Sequence, residues 1–295
     1  MIKNCLILLG LLMAGGATYC QINDYPFSRL DIRDGLSDNH VNDIFKDSRG
    51  YLWFGTNSGL NRYDGYSFKV YRHEDADPSS LTDDHVSRIF QGPEDKVYIS
   101  TATAGLNIYD PSTERFVPNA DAYLKDRHLM RFGLTCIVRG KEGQFYFIYA
   151  DSGIYRFDAG KGAVHMRPNG AGPYEMPTGI SDAAFDVSGG LWLSYGKGRL
   201  ERIDLQNNRV SFYSDTLEKK APVPFGYKVF IDSKNRLWLY APGNLWGLWE
   251  FDHTTGQLLR FNKESASIRL NGNIINSVIE DNKGLLWVAS DQGGL

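Results

Sequence analysis

The side chains able to do chemistry are few and scattered. Six histidines occur, at His40, His73, His85, His128, His165 and His253. None stands in an H-x-x-x-H or H-E-x-x-H pattern, so no zinc site and no metal is expected. His40 and His85 lie in D-N-H-V and D-D-H-V, one station of two similar segments, which points to a turn role. Asp47, Asp186, Asp232 and Asp281 also recur at one station, inside a short turn. An aspartate there caps its own backbone, with calcium ligation the alternative. Asp31, Asp34, Glu74 and Asp75 offer carboxylates that nothing in the sequence pairs for acid–base work, and they read as solvated. The phosphate loop G-x-x-x-x-G-K-[ST] and the nucleophile elbow G-x-S-x-G are both missing. Cys136 has no His/Asn constellation and reads as a small buried apolar residue. No catalytic residue and no cofactor is expected.

Recognition chemistry is a better fit. Several connectors escape the internal regularity described below, at 72–84, 117–133, 159–180, 214–227 and 241–247. They carry Arg72, His73, Tyr123, Arg131, Tyr174 and Trp246. An aromatic face suits the C–H side of a sugar ring, and arginine suits hydroxyl or acidic groups. Trp246, Arg72, Arg131 and Tyr174 are the candidate ligand contacts, with an ordinary rim or packing role the alternative for each.

What must position these residues is a repeat. Residues 43–71 are echoed by segments starting at Arg88, Thr135, Ala183, Lys228 and Ser277. An aromatic falls at Trp53, Tyr98, Tyr146, Trp192, Trp238 and Trp287, with spacings of 45, 48, 46, 46 and 49 residues. An apolar residue follows at Leu60, Leu106, Ile154, Leu200, Leu248 and Leu295, and an aspartate at Asp64, Asp110, Asp158, Asp204 and Asp252. The first unit reads as four strands, Val41–Lys46, Tyr51–Thr56, Leu60–Tyr63 and Phe68–Tyr71, joined by turns rich in Asp, Asn and Gly. No segment past residue 20 shows a sustained helical period.

Four-stranded meanders at this pitch are β-propeller blades, and a β-helix or leucine-rich solenoid has shorter units. The fold expected is all-β, a propeller of antiparallel blades, with units near 36–71, 81–116, 134–165, 181–213, 227–261 and 273–295. The recurring aromatic is read as packing between blades. A seven-bladed ring at this pitch takes about 330 residues, whereas 275 follow residue 20. Five complete blades and a partial sixth, an open ring, are therefore expected, as in the N-terminal piece of a longer protein or a truncated gene product. The run Phe27–Ile32 is a candidate extra outer strand.

Composition agrees with an ordinary folded chain: 42% hydrophobic, 23% charged, 31 glycines and a net charge of −3. Near-neutral charge argues against nucleic-acid contact. Lys3, the 13-residue apolar run Cys5–Ala17 and a small-residue exit match a signal peptide over residues 1–20. The run is too short to span a bilayer. Bulky Tyr19 before Cys20 disfavours a lipid anchor, so an exported protein is expected.

The stretch from Phe27 to Phe68, with L-W-F-G-T-x-x-G-L-x-R-Y-D at 52–64, closely resembles the start of the exported sensor region of Bacteroidetes hybrid two-component regulators. The resemblance covers residues 22–295. It implies two seven-bladed propellers, a β-sandwich, a membrane helix, a histidine kinase, a receiver and a DNA-binding domain in the whole protein. It also implies recognition of an oligosaccharide, signalling to the parts beyond this chain, and a homodimeric receptor. The kinase histidine, ATP site and receiver aspartate have no counterpart in these residues, so no phosphotransfer is expected from them. Two rival readings stand beside it: an exported propeller enzyme, such as a polysaccharide or ester lyase, and a protein-interaction scaffold.

Overall fold

The computed structural model describes residues 31–170, 179–220, 226–265, 270, 272–280 and 284–290. Blade 1 is β1 (Val41–Lys46), β2 (Leu52–Thr56), β3 (Gly59–Tyr63) and β4 (Phe68–Tyr71). Blade 2 is β5 (Val86–Gln91), β6 (Val97–Thr101), β7 (Gly105–Asp110) and the short β8 (Arg115–Phe116). Blade 3 follows with β9 (Leu134–Arg139), β10 (Phe145–Tyr149), β11 (Gly153–Asp158) and β12 (Gly162–Met166). A two-residue strand, β13 (Asn169–Gly170), precedes blade 4, β14 (Ile180–Phe185), β15 (Leu191–Tyr195), β16 (Leu200–Asp204) and β17 (Arg209–Ser214). Blade 5 is β18 (Lys228–Ile231), β19 (Leu237–Tyr240), β20 (Leu248–Asp252) and β21 (Gln257–Phe261), and a sixth sheet holds β22 (Ile275–Glu280) and β23 (Leu286–Ser290).

Each blade is an antiparallel meander. The first strands neighbour one another in sequence, β1 on β5, β5 on β9, β9 on β14 and β14 on β18, so they form the inner edge. Among the described residues no strand pairing joins the sixth sheet to the first, and the blades form an open succession. No helix among them is long and apolar enough to cross a membrane.

The core lies between blades. Trp53 and Leu60 of blade 1 pack with Val86, Ile89, Val97 and Tyr109 of blade 2. Trp192 and Leu200 of blade 4 pack with Val229, Leu239 and Phe251 of blade 5. The recurring aromatics Trp53, Tyr98, Tyr146, Trp192 and Trp238 are all buried, as are Leu60, Leu106, Ile154, Leu200 and Leu248. One sheet cannot cover its own faces, so stacking supplies the apolar burial that holds the chain together.

A buried indole needs a hydrogen-bond acceptor, and the turn aspartate supplies it. Asp47 accepts from the backbone N–H of Arg49 and Tyr51 at 3.0 and 2.9 Å, and from Trp53 Nε1 at 2.8 Å. Asp186 does the same for Ser188, Gly190 and Trp192, and Asp232 for Lys234, Arg236 and Trp238. The backbone-capping role read from the sequence is thus present, with the indole bond added to it. In blades 2 and 3 tyrosine replaces tryptophan, and the position six residues earlier is Gly92 or Gly140. A Cβ on Gly92 would sit 2.2 Å from the Tyr98 ring, which fills the space of the missing carboxylate.

The structure adds two short helices to the connectors and alters one strand reading. The connector 117–133 holds helix α1 (Ala120–Asp126), with Asn119 capping Ala122 N–H and with Ala120 and Leu124 buried. Seven residues are too few for a helical period to stand out in sequence. Helix α2 (Thr216–Lys220) lies in the connector 214–227. Ile32 opens a 3-10 turn capped by Asp31 rather than ending a strand, and residues 27–30 lie outside the described residues. The segment β13 is a further difference, pairing parallel with β17 as a fifth strand on blade 4. The signal peptide and the third strand of the sixth unit lie outside the described residues.

Replacing Asp47 with alanine leaves two backbone donors and a buried indole without their acceptor. The expected cost is about 2–4 kcal/mol, read as a lower urea midpoint at unchanged slope. Burial would raise the Asp186 carboxyl, but hydrogen bonds from Arg202, Ser188 and Gly190 N–H outweigh it and hold the group at about 2, below its ordinary 3.8. Its stabilising effect is therefore complete above about pH 4 and lost as pH falls toward 2. Stability measured across that window should be flatter in Asp186→Asn.

Candidate functional site

Antiparallel order gives each blade two ends. The blade-to-blade connectors and the turns between second and third strands share the connector end. The turns between first and second strands, and between third and fourth, share the opposite, turn end.

The inner strands carry a polar station ten residues before each aromatic: Asp43, Arg88, Cys136, Asp182, Lys228 and Ser277. The inner strands of blades 1, 2, 3 and 4 shift register around this point, which re-aims the side chains there. Asp43 accepts from Ile89 N–H of the next blade at 2.7 Å, and Asp182 from Val229 N–H at 3.1 Å. Arg88 donates to the Thr135 carbonyl at 3.2 Å. Lys228 donates to the Ser181 carbonyl at 3.3 Å, with Asp182 3.5 Å away. Each of these bonds reaches about one repeat along the chain, tying neighbouring blades at their inner edge.

The station converges in space. Burial raises the Asp43 carboxyl, opposed by the Ile89 N–H, by Arg88 and by Lys228 four blades further on. Burial lowers the Lys228 ammonium, opposed chiefly by Asp182. Burial pushes the Cys136 thiol up to about 12, helped by the Asp182 charge. Asp182, Lys228 and Arg88 thus act on a thiol that stays protonated near neutral pH.

Beside this centre, at the connector end, lies a cavity of about 470 Å³ lined by Thr135, Ser181, Tyr227, Lys228 and Pro242. Ser181 and Ser194 both donate to the Tyr227 carbonyl, at 2.9 and 2.6 Å, fixing this wall. The lining offers two hydroxyls and the Lys228 ammonium, with Asp182 3.5 Å from that ammonium. Among the described residues no group of three His, Cys, Asp or Glu is placed to hold a metal ion.

Of the sequence candidates, Arg72, Arg131 and Trp246 share the connector end but not a site. Arg72 is exposed and donates to the Ser58 carbonyl at 3.1 Å. Arg131 pairs with Asp121 at 2.6 Å, and its carbonyl accepts from Leu106 N–H, tying the helical connector to blade 2. Trp246 is half-buried against blade 5, its carbonyl accepting from Trp249 Nε1 and Arg260 Nε at 3.1 and 2.9 Å. Among the described residues no hydrogen bond or ring contact joins these three. Tyr174 lies outside the described residues. Tyr123 points to the turn end, donating to Glu94 at 3.1 Å beneath the Arg127 guanidinium. His73 locks its own connector through the Leu81 carbonyl and Asp75. The D-x-H stations are turns made by their aspartates, Asp38 and Asp83 each accepting from the histidine N–H. Sequence reasoning missed Thr135, Ser181, Tyr227 and Lys228. The available signal was a charge recurring within strands that are otherwise apolar.

Comparison with known proteins places this architecture. The model of the two component regulator propeller family matches residues 35–58 and 269–292, and these segments are copies of its repeat, one opening blade 1 and one in the sixth unit. A 62-residue stretch is 42% identical to histidine kinase P4 of Formosa agariphila, covering 21% of this chain and 4% of that protein. Among solved structures, the extracellular domain of a protein described as a hybrid two component system of B. thetaiotaomicron superimposes with a TM-score of 0.65. That match has 24% identity over 89% of this chain and 34% of that one. PorZ, a surface component of the type-IX secretion system of Porphyromonas gingivalis, gives a TM-score of 0.53 at 16% identity, over 85% of this chain and 37% of that one. The chain thus spans about a third of the solved structures it resembles, and the likeness to them is one of fold.

A thiol reagent at pH 8 should leave Cys136 unmodified in the folded protein and label it after denaturation, as followed by peptide mapping.

Proposed function

We infer that this chain, built from two component regulator propeller repeats, is the ligand-sensing part of an exported hybrid two-component receptor, and that its ligand is an oligosaccharide. The observation that carries the reading is the cavity where the inner strands meet the connectors, lined by the Thr135 and Ser181 hydroxyls and by Lys228, whose ammonium lies 3.5 Å from Asp182. Sugar hydroxyls both donate and accept, so they match a wall of serine and threonine hydroxyls and backbone carbonyls beside a lysine–aspartate pair. The exposed Arg72 and the half-buried Trp246 stand at the same end, available to a longer glycan.

A ligand seated there touches several blades at once. Thr135 belongs to blade 3, Ser181 to blade 4, and Lys228 and Pro242 to blade 5. Binding therefore favours one relative arrangement of these blades, which is what a sensor passes on to its partners. The partners proposed are the remaining blades and signalling domains of a longer polypeptide, acting as a homodimer from the periplasmic side of the membrane.

Titration calorimetry against a panel of neutral oligosaccharides tests this. One member should bind saturably, and Ser181→Ala combined with Thr135→Val should weaken it about tenfold, or about 1.4 kcal/mol. Failure of every glycan to bind would overturn the reading.

A further inference from the structure

At the turn end, between blades 3 and 4, a groove of about 530 Å³ is lined by Gly140, Lys141, Tyr146, Arg156, Phe185 and Arg202 among others. Its origin lies in the repeat. In blades 1, 4 and 5 the first turn holds an aspartate whose carboxylate takes the N–H two residues on, the N–H four residues on and the indole N–H six residues on. In blade 4 the same carboxylate also takes Arg202 Nε at 2.6 Å.

Blade 3 keeps the donors and lacks the carboxylate. The aspartate position is Gly140, the N–H groups two and four residues on belong to Glu142 and Gln144, and the aromatic is Tyr146. Neither backbone N–H has an acceptor among the described residues. Tyr146 is more than nine-tenths buried yet lines the groove, and no hydrogen bond from its hydroxyl to a protein group occurs among the described residues. Arg156, paired across the strands with Tyr146, faces the same space.

The acids lining the groove are already engaged. Asp158 holds Arg156 through two bonds of 2.9 Å, whereas its counterparts Asp64, Asp110, Asp204 and Asp252 cap their own turns. Glu142 accepts from Gln144 Nε2 at 2.8 Å. Lys141 has no ion-pair partner among the described residues. The unmet groups around Gly140 are thus mainly donors, two backbone N–H groups, the Tyr146 hydroxyl and the Lys141 ammonium, with the Gln144 side-chain oxygen beside them. Blade 2 shares the Gly–Tyr pairing but offers no such opening, because Tyr98 fills the turn and Tyr123 with Arg127 lie over it.

We propose that this groove binds a carboxylate-bearing ligand, its carboxylate taking the turn N–H groups, the Tyr146 hydroxyl and the Lys141 ammonium in place of the missing aspartate. Charge-assisted bonds from several preorganised donors are the strong kind. The groove is roomy enough for a sugar acid, and the Tyr146–Phe185 edge contact, centroids 5.3 Å apart, gives it an apolar floor. The site is separate from the connector-end cavity and does not depend on what binds there.

The test uses sodium glucuronate, sodium acetate and glucose as probes in calorimetry on the purified chain. Glucuronate should bind saturably and glucose should not. Acetate matching glucuronate would assign the site to small acids, and acetate binding far more weakly would assign it to sugar acids. Gly140→Asp with Tyr146→Trp rebuilds the aspartate–tryptophan pair of the other blades and should abolish glucuronate binding while keeping native circular dichroism. Tyr146→Phe, which alters one hydroxyl, should weaken binding about five- to tenfold. Glucuronate that fails to bind, that glucose displaces equally, or that binds unchanged in either variant would overturn the proposal. Loss of neutral-oligosaccharide binding with glucuronate binding intact would count against the connector-end reading alone.

Discussion

A carboxylate placed one turn ahead of a buried indole is the interaction on which the blades depend. Stacked sheets need a bulky side chain in the second strand to fill the space between them, and tryptophan fills most. Its N–H then goes into an apolar layer, where an unpaired donor costs about 1–3 kcal/mol. Asp47, Asp186 and Asp232 remove that cost and close the hairpin turn with the same two oxygens. The two positions change together in the five described four-stranded blades. Where the aromatic is tyrosine, at Tyr98 and Tyr146, the turn position is glycine, since a buried carboxylate with no indole to bind would be a liability.

This coupling explains why so much of the fold was legible. The aromatic, the apolar residue opening the third strand and the aspartate closing it recur because each blade solves one packing problem in one way. Strands Val41–Lys46 and Phe68–Tyr71 have the bounds their patterns imply. Helix α1 was not legible, because a seven-residue helix with two buried positions leaves no period, and its stability comes from lying along blade 2. The inner polar station was visible only as isolated charges. Asp43, Arg88, Asp182 and Lys228 are 45, 94 and 46 residues apart, and nothing local says that they meet. Trp246 stood out in sequence as an aromatic outside the register, yet its backbone carbonyl is what the structure engages.

The inner station also has an energetic logic. A first strand has no partner strand on its inner side, so its edge groups must be satisfied by something other than a ladder. The carboxylates of Asp43 and Asp182 take N–H groups of the following blade, and Arg88 and Lys228 take carbonyls. Polar residues there link blade to blade with directional bonds, whereas the layers between blades are held by non-directional apolar packing. Directional bonds at the inner edge set the angle between neighbours, so a ligand that bridges Thr135, Ser181 and Lys228 acts on the bonds that set it.

Repetition separates the residues that build from the residues that can vary. Because each blade contacts only its neighbours, a change in one turn perturbs one interface and leaves the others intact. Blade 3 is the case in point. Exchanging aspartate and tryptophan for Gly140 and Tyr146 gives up one buried acceptor and one large ring. The loss is local, since Tyr146 still packs on Phe185 and Asp158 still neutralises Arg156. What the exchange leaves behind is a set of donors held in place by a stable turn, with their usual acceptor gone. An uncompensated donor set is costly in a core but inexpensive at a water-filled groove, where solvent or a ligand completes it. A propeller thus gains a binding surface by withholding from one blade a group that its sisters supply internally, and the position of that omission in the repeat specifies the charge of whatever fills it.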